Sequence, residues 1–164
     1  MRIAEINALD PAAFVTRFGF LFEHSPWIVA AASDHRPFAD TGAMHAAMME
    51  VVAESSPEDQ LALLRAHPQL AKKVAMTAES TSEQASAGLD RLSREEFERF
   101  HRLNDAYSGK FDFPFIICVR LTDKAGILAA MEMRLHNDKD AEMSTALAEV
   151  GKIVLLRLKD VVSE

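Results

Sequence analysis

Cysteine, clustered positive charge and long apolar runs are all scarce in this sequence, and each shortage excludes something. One cysteine, Cys118, stands among 164 residues. It has no second cysteine to pair with in the chain, and a cysteine-rich metal site is impossible. A chain without disulfides fits a reducing compartment. Lys and Arg number 18 against 25 Asp and Glu, a formal net charge of −7. Without a basic cluster the chain is a poor match to a phosphate backbone, so no nucleic-acid partner is expected. No run approaches the ~20 apolar residues that span a bilayer, so no membrane partner is expected. Met1-Arg2-Ile3-Ala4-Glu5 lacks the apolar core of a signal peptide, and Val162-Ser163-Glu164 is not a peroxisomal address. A soluble cytoplasmic protein is the expectation.

The rest of the composition is that of a globular protein, with 49% apolar and 26% charged residues. With this length it predicts one domain over residues 1–164, large enough for a core and a pocket. The punctuation is helical. Asp10-Pro11, Ser25-Pro26 and Ser56-Pro57 each place a capping side chain before a proline suited to the first helical position. Ser80-x-x-Glu83 and Ser93-x-x-Glu96 read as capping boxes, and Thr122-Asp123 reads as a further helix start. Apolar residues recur at helical spacing between these signals. The clearest stripe is Met143, Leu147, Val150, Val154, Leu158 and Val161. Ile116 to Val119 is strand-like but has no partner run. The prediction is an all-α fold of about seven to nine helices.

Six histidines are present, and no pair has the i, i+4 spacing of a helical zinc site, so no metal site is expected. His67 is distinctive because Pro68 follows it. A residue before proline is pushed out of the helical region, so His67 stands where a helix breaks off. It reads either as a dipole-stabilised terminal histidine or as an imidazole projecting into a cleft. Glu83 reads either as the returning arm of a capping box or, with Ser80 and Gln84, as part of a polar group at a helix N-terminus, where anions are favoured. Arg157 lies inside the apolar stripe of the last helix. It needs an acid partner, a route to solvent, or a ligand carboxylate to grip bidentately. The segment Phe111 to Ile117 reads as core, but as a non-helical stretch it also has backbone groups free to meet a flat, amide-rich ligand. Cys118 has no local activating partner and reads as an inert thiol.

Several longer segments carry a resemblance when taken together and in order. They are Phe22-Glu23-His24-Ser25-Pro26-Trp27, Ala66-His67-Pro68-Gln69-Leu70-Ala71, Thr77 to Leu89, Leu103-Asn104-Asp105-Ala106-Tyr107, Lys110 to Ile117, Arg134-Leu135-His136-Asn137, and Glu149-Val150-Gly151-Lys152-Ile153 leading to Leu156-Arg157-Leu158. The sequence resembles the 2-oxo-4-hydroxy-4-carboxy-5-ureidoimidazoline (OHCU) decarboxylase family of urate catabolism across nearly its whole length. The resemblance implies an all-helical carboxy-lyase that needs no cofactor, is usually a homodimer, and yields (S)-allantoin. It places the catalytic histidine on His67 and its carboxylate partner on Glu83. It places substrate contacts on Pro68, on Ser80, Thr81, Ser82 and Gln84, on Phe115, Ile116, Ile117, Cys118 and Val119, and on Arg157. Two departures stand out. Gln69 replaces a common acid and Lys72 a common glycine, and the stretch from Lys72 to Met76 is shorter than in many relatives. Two other functions are open to the same sequence: a non-catalytic helical interaction module, and a lyase acting on a related cyclic ureide.

Overall fold

The computed structural model describes residues 1–71 and 78–164. Among the described residues there are nine α-helices and no strand, as the capping signals predict. The shortened Lys72–Met76 stretch lies outside the described residues. The chain divides into two units, residues 1–63 with 151–164, and residues 64–150.

The first unit holds α1 (Ile3–Asn7), α2 (Pro11–Phe18), α3 (Pro26–Ala32), α4 (Thr41–Glu54) and most of α5 (Pro57–Arg65). Their starts are local chemistry. Asp10 accepts the Ala13 N–H at 2.8 Å and Ser56 Oγ accepts that of Asp59 at 3.1 Å, so both side chains satisfy donors that the helix cannot. Ser25 precedes α3 as expected, but its hydroxyl donates to the Glu23 carbonyl at 3.1 Å instead of capping. α3 packs against α2 and α4. Phe14, Phe18, Ile28, Val29, Met44 and Met48 are buried there. The last part of α9 (Lys139–Val161) also belongs to this unit. Gly151 lies so near Met49 that an added Cβ would come within 3.2 Å of its Cε. The Gly151 carbonyl is 2.8 Å from His45 Nε2.

The second unit holds α6 (Ala78–Ser86), α7 (Arg94–Phe111), α8 (Lys124–Arg134) and the first part of α9. α7 opens on the predicted capping box between Ser93 and Glu96, and α8 on Asp123, which accepts the Gly126 N–H at 2.8 Å. α6 departs from the prediction. Its helical residues run back to Ala78, so Ser80 lies inside the helix and cannot cap its end. Ala78 and Glu79 are good helix formers, and an acid in the first turn suits the dipole. α6 ends at a glycine. Gly88 takes φ 82°, its N–H bonds to Ala85 O at 3.0 Å, and the Leu89 N–H reaches back to Gln84 O at 3.0 Å. That double closure is a Schellman end, which favours glycine at the left-handed position.

The stripe on α9 is also shifted. Val150, Val154 and Leu158 are buried as predicted, but Met143 and Leu147 are only half-buried, while Glu142, Ala146 and Glu149 face inward. Two acids thus lie on the buried side, where an apolar pattern cannot reveal them.

Candidate active site

His67 stands where the sequence places it. α5 ends at Arg65, and the His67 N–H closes a turn on Leu64 O at 3.2 Å. Its side chain is half-buried, as is Pro68. The loop that follows is tied down on two sides. Gln69 Nε2 donates to Ser108 Oγ on α7 at 2.9 Å. Asn104, a buried residue of α7, donates to Leu70 O at 2.9 Å. The Ala71 N–H donates to Gln84 Oε1 on α6 at 3.2 Å. From the other direction, Arg65 Nε donates to Asp112 O at 2.9 Å, and its guanidinium pairs with the Asp112 carboxylate. The histidine therefore sits on a short bridge held by the C-terminal parts of α7 and α6.

α6 presents a polar face. Ser80 and Gln84, one turn apart, are both buried, and Glu83 beside them is half-buried. Thr81 and Ser82 are exposed. The expected helix N-terminus at Ser80 is displaced, because the helix begins at least two residues earlier.

The Phe115–Cys118 segment is neither helix nor strand, with Cys118 extended, and joins no sheet among the described residues. α6 packs against the 3-10 turn Val119–Leu121 at its end. Phe115, Ile116, Cys118 and Val119 are buried, and Ile117 is half-buried. Burial pushes the Cys118 thiol above its ordinary pKa, and the nearby carboxylates of Glu149 and Glu83 push it further. A thiol held protonated is a poor nucleophile, in keeping with an inert cysteine.

Sequence reasoning assigned no role to the ionic cluster behind this segment. Arg134 and Glu142 pair at 2.9 Å with both side chains buried, Tyr107 donates its hydroxyl to Glu142, and Arg134 Nη1 donates to Ile116 O at 2.8 Å. Arg134 and Asn137 bound one of the motif segments and Tyr107 ends another, which is the signal the sequence carried. Burial alone would raise the Glu142 carboxyl, but hydrogen bonds from Arg134, Tyr107 and Asn137 outweigh it and hold the group below its ordinary range.

Arg157 belongs to the first unit. It is buried, donates to the carbonyls of Phe20 at 3.1 Å and Leu21 at 3.2 Å, and lies 3.9 Å from the buried Glu23 carboxylate. The acid partner that its place on an apolar stripe demands is Glu23.

The model of the family described as OHCU decarboxylase matches residues 7–159. The chain belongs to the OHCU decarboxylase family. It is 44% identical over 160 residues to the 2-oxo-4-hydroxy-4-carboxy-5-ureidoimidazoline decarboxylase of Haloferax volcanii, covering 98% of this chain and 95% of that protein. Among solved structures it resembles an (S)-allantoin synthase at TM-score 0.83 and 29% identity, covering 99% of this chain. It spans about half of that longer chain, 54%. It also resembles an OHCU decarboxylase crystallised in the presence of (S)-allantoin, at TM-score 0.70 and 25% identity, covering 84% of this chain and 91% of that one. Within this OHCU decarboxylase family member, His67, Pro68, Ser80, Glu83, Gln84 and Phe115–Val119 all fall in the second unit, and Arg157 falls in the first.

Proposed function

We infer that this chain decarboxylates OHCU to (S)-allantoin, the third step of urate degradation, and that residues 1–164 act as one domain. The observation that carries this reading is the half-buried imidazole at the broken end of α5, followed by a loop bonded to α6 next to Glu83, in a chain whose family match runs through both units.

OHCU bears a carboxylate, a hydroxyl and a ureido group on neighbouring ring carbons. When the bond to the carboxylate breaks and CO₂ leaves, the electron pair passes into the conjugated ring system. A proton must then reach one face of the neighbouring carbon as the hydroxyl loses its own. His67 acts as the general acid/base between those two positions, a role worth roughly 10²–10⁴-fold. Glu83 orients the imidazole. Pro68 shapes the wall beside it. Ser80, Thr81, Ser82, Gln84 and the backbone of Phe115–Val119 hold the ureido and ring amides, and Arg157 binds a polar or anionic substrate group. Orientation decides the product, because the handedness of allantoin is set by the face that receives the proton. The working form is a cytoplasmic homodimer that uses no cofactor. Support for that comes from the family resemblance and from a sequence with a single, buried cysteine; sedimentation of the purified protein tests the dimer.

The experiment couples urate oxidase, hydroxyisourate hydrolase and this protein, and follows the circular dichroism of the product. OHCU decays spontaneously to racemic allantoin, so optical activity is decisive and urate disappearance is not. His67→Ala is expected to fold normally and lose most turnover, about 10²-fold or more. Wild-type rates in His67→Ala on freshly generated OHCU overturn the assignment. Arg157→Ala is expected to raise KM more than it lowers kcat.

A further inference from the structure

The Arg134–Glu142 cluster ends on the backbone of the segment read as the substrate's amide contact. Arg134, at the end of α8, meets Glu142, in the first turn of α9, through Nε at 3.0 Å and Nη2 at 2.9 Å. Asn137 donates to the same carboxylate at 3.0 Å. The remaining Nη1 donates to Ile116 O at 2.8 Å, and the guanidinium carbon sits 4.3 Å from the centroid of the Phe115 ring.

A buried ion pair is a costly way to gain stability, since well-packed apolar residues of the same size often serve as well or better. Its output here is directional. Among the described residues, Phe115–Cys118 has no strand partner to set its register. Across a trans peptide, the C=O of one residue and the N–H of the next point to opposite sides. With Ile116 O turned onto Arg134, the Ile117 N–H of the same trans peptide faces the other way. Ile117 is also the one residue from Phe113 to Val119 that is not buried.

We propose that Arg134 is a positioning residue: its grip on the Ile116 carbonyl and the Phe115 ring fixes the face on which Ile117 offers its backbone N–H to the substrate's amide edge, and so sets which face of the ring is protonated. The proposal deepens the decarboxylase reading and rests on it.

Two variants separate positioning from mere stability. Arg134→Lys keeps the charge beside Glu142 but lacks the planar fork that reaches two acceptors at once. Tyr107→Phe removes a hydrogen bond from the same carboxylate and leaves the Ile116 contact intact. Arg134→Lys is expected to lower kcat/KM by about tenfold or more, mostly through KM, and to reduce the enantiomeric excess of the enzyme-formed allantoin. Amide hydrogen exchange at Ile117 and Cys118 should quicken in the same variant. Tyr107→Phe, though destabilised, is expected to keep wild-type KM, enantiomeric excess and exchange at those amides. The double change Arg134→Met with Glu142→Leu removes the grip while leaving an apolar filling, so it serves if Arg134→Lys does not fold, and the same KM and enantiomeric losses are expected of it. Wild-type KM and enantiomeric excess in a folded Arg134 variant overturn the proposal, as do equal changes in Arg134→Lys and Tyr107→Phe. If the wild-type protein leaves OHCU decay and its racemic product unchanged, the decarboxylase reading fails instead. The exchange rates still report whether Arg134 holds the segment.

Discussion

At the scale of single residues, the backbone around the candidate site is held in positions that side chains resist. Ala71 sits at φ 62°, a left-handed conformation that costs a non-glycine residue about 1–2 kcal/mol. Its N–H is also committed to Gln84. Ala71→Gly should relieve that cost, less roughly 0.5–1 kcal/mol of added chain entropy in the unfolded state. The expected result is a rise in thermal midpoint of up to a few degrees, read by calorimetry. Gly88, at φ 82°, is the converse. A Cβ there would meet only the Lys124 side chain at 3.6 Å, an ordinary contact, so the penalty of Gly88→Ala is conformational. It should lower stability by about 1–2 kcal/mol, measured as a shift of the urea midpoint at constant m-value. His67 was legible at this scale, because a proline after a histidine ends a helix without help from the rest of the fold. Asn104 was not, since nothing in its own neighbourhood says that Leu70 will offer a carbonyl to it.

Elements show the same division. The starts of α2, α5, α7 and α8 follow from side chains that bond within three residues, so short-range pattern reading found them. α6 was misread because Ser80 and Glu83 have the spacing of a cap, yet the helix extends past them and turns Ser80 and Gln84 inward. The α9 stripe was misread because Glu142 and Glu149 occupy its buried side. A buried Glu142 is tolerable only with Arg134 facing it, and Arg134 is on another helix. This pairing has a pH signature. Hydrogen bonds lower the Glu142 carboxyl in the folded state relative to 4.5. Its stabilisation is therefore complete above that value and is lost as pH falls through the lowered folded value. Urea midpoints taken from neutral pH down to about pH 3 should fall on the acid side. Glu142→Gln should start lower at neutral pH and show a flatter acid limb. An acid limb as steep as that of the wild-type protein would show that other carboxylates carry the effect.

For the whole molecule, the net charge of −7 offers no general attraction to an anionic substrate, and any attraction must be local. Added salt screens long-range repulsion over a Debye length of about 10 Å at 0.1 M. The value of kcat/KM should therefore hold steady or rise modestly with ionic strength, whereas a steep fall in a salt titration would reveal a steering field that the charge count does not contain. Helix starts, the break at His67 and membership of the family were all readable in one dimension, because each depends on residues a few positions apart or on their order. Folding alone decided that Arg134 would be shared between Glu142 and Ile116, that Arg157 would lie against Glu23 and the Phe20 and Leu21 carbonyls, and that the His67 loop would be bound by α6 and α7. Those partners lie on different elements, and a buried charge or carbonyl takes whichever partner the packed interior brings within hydrogen-bond reach.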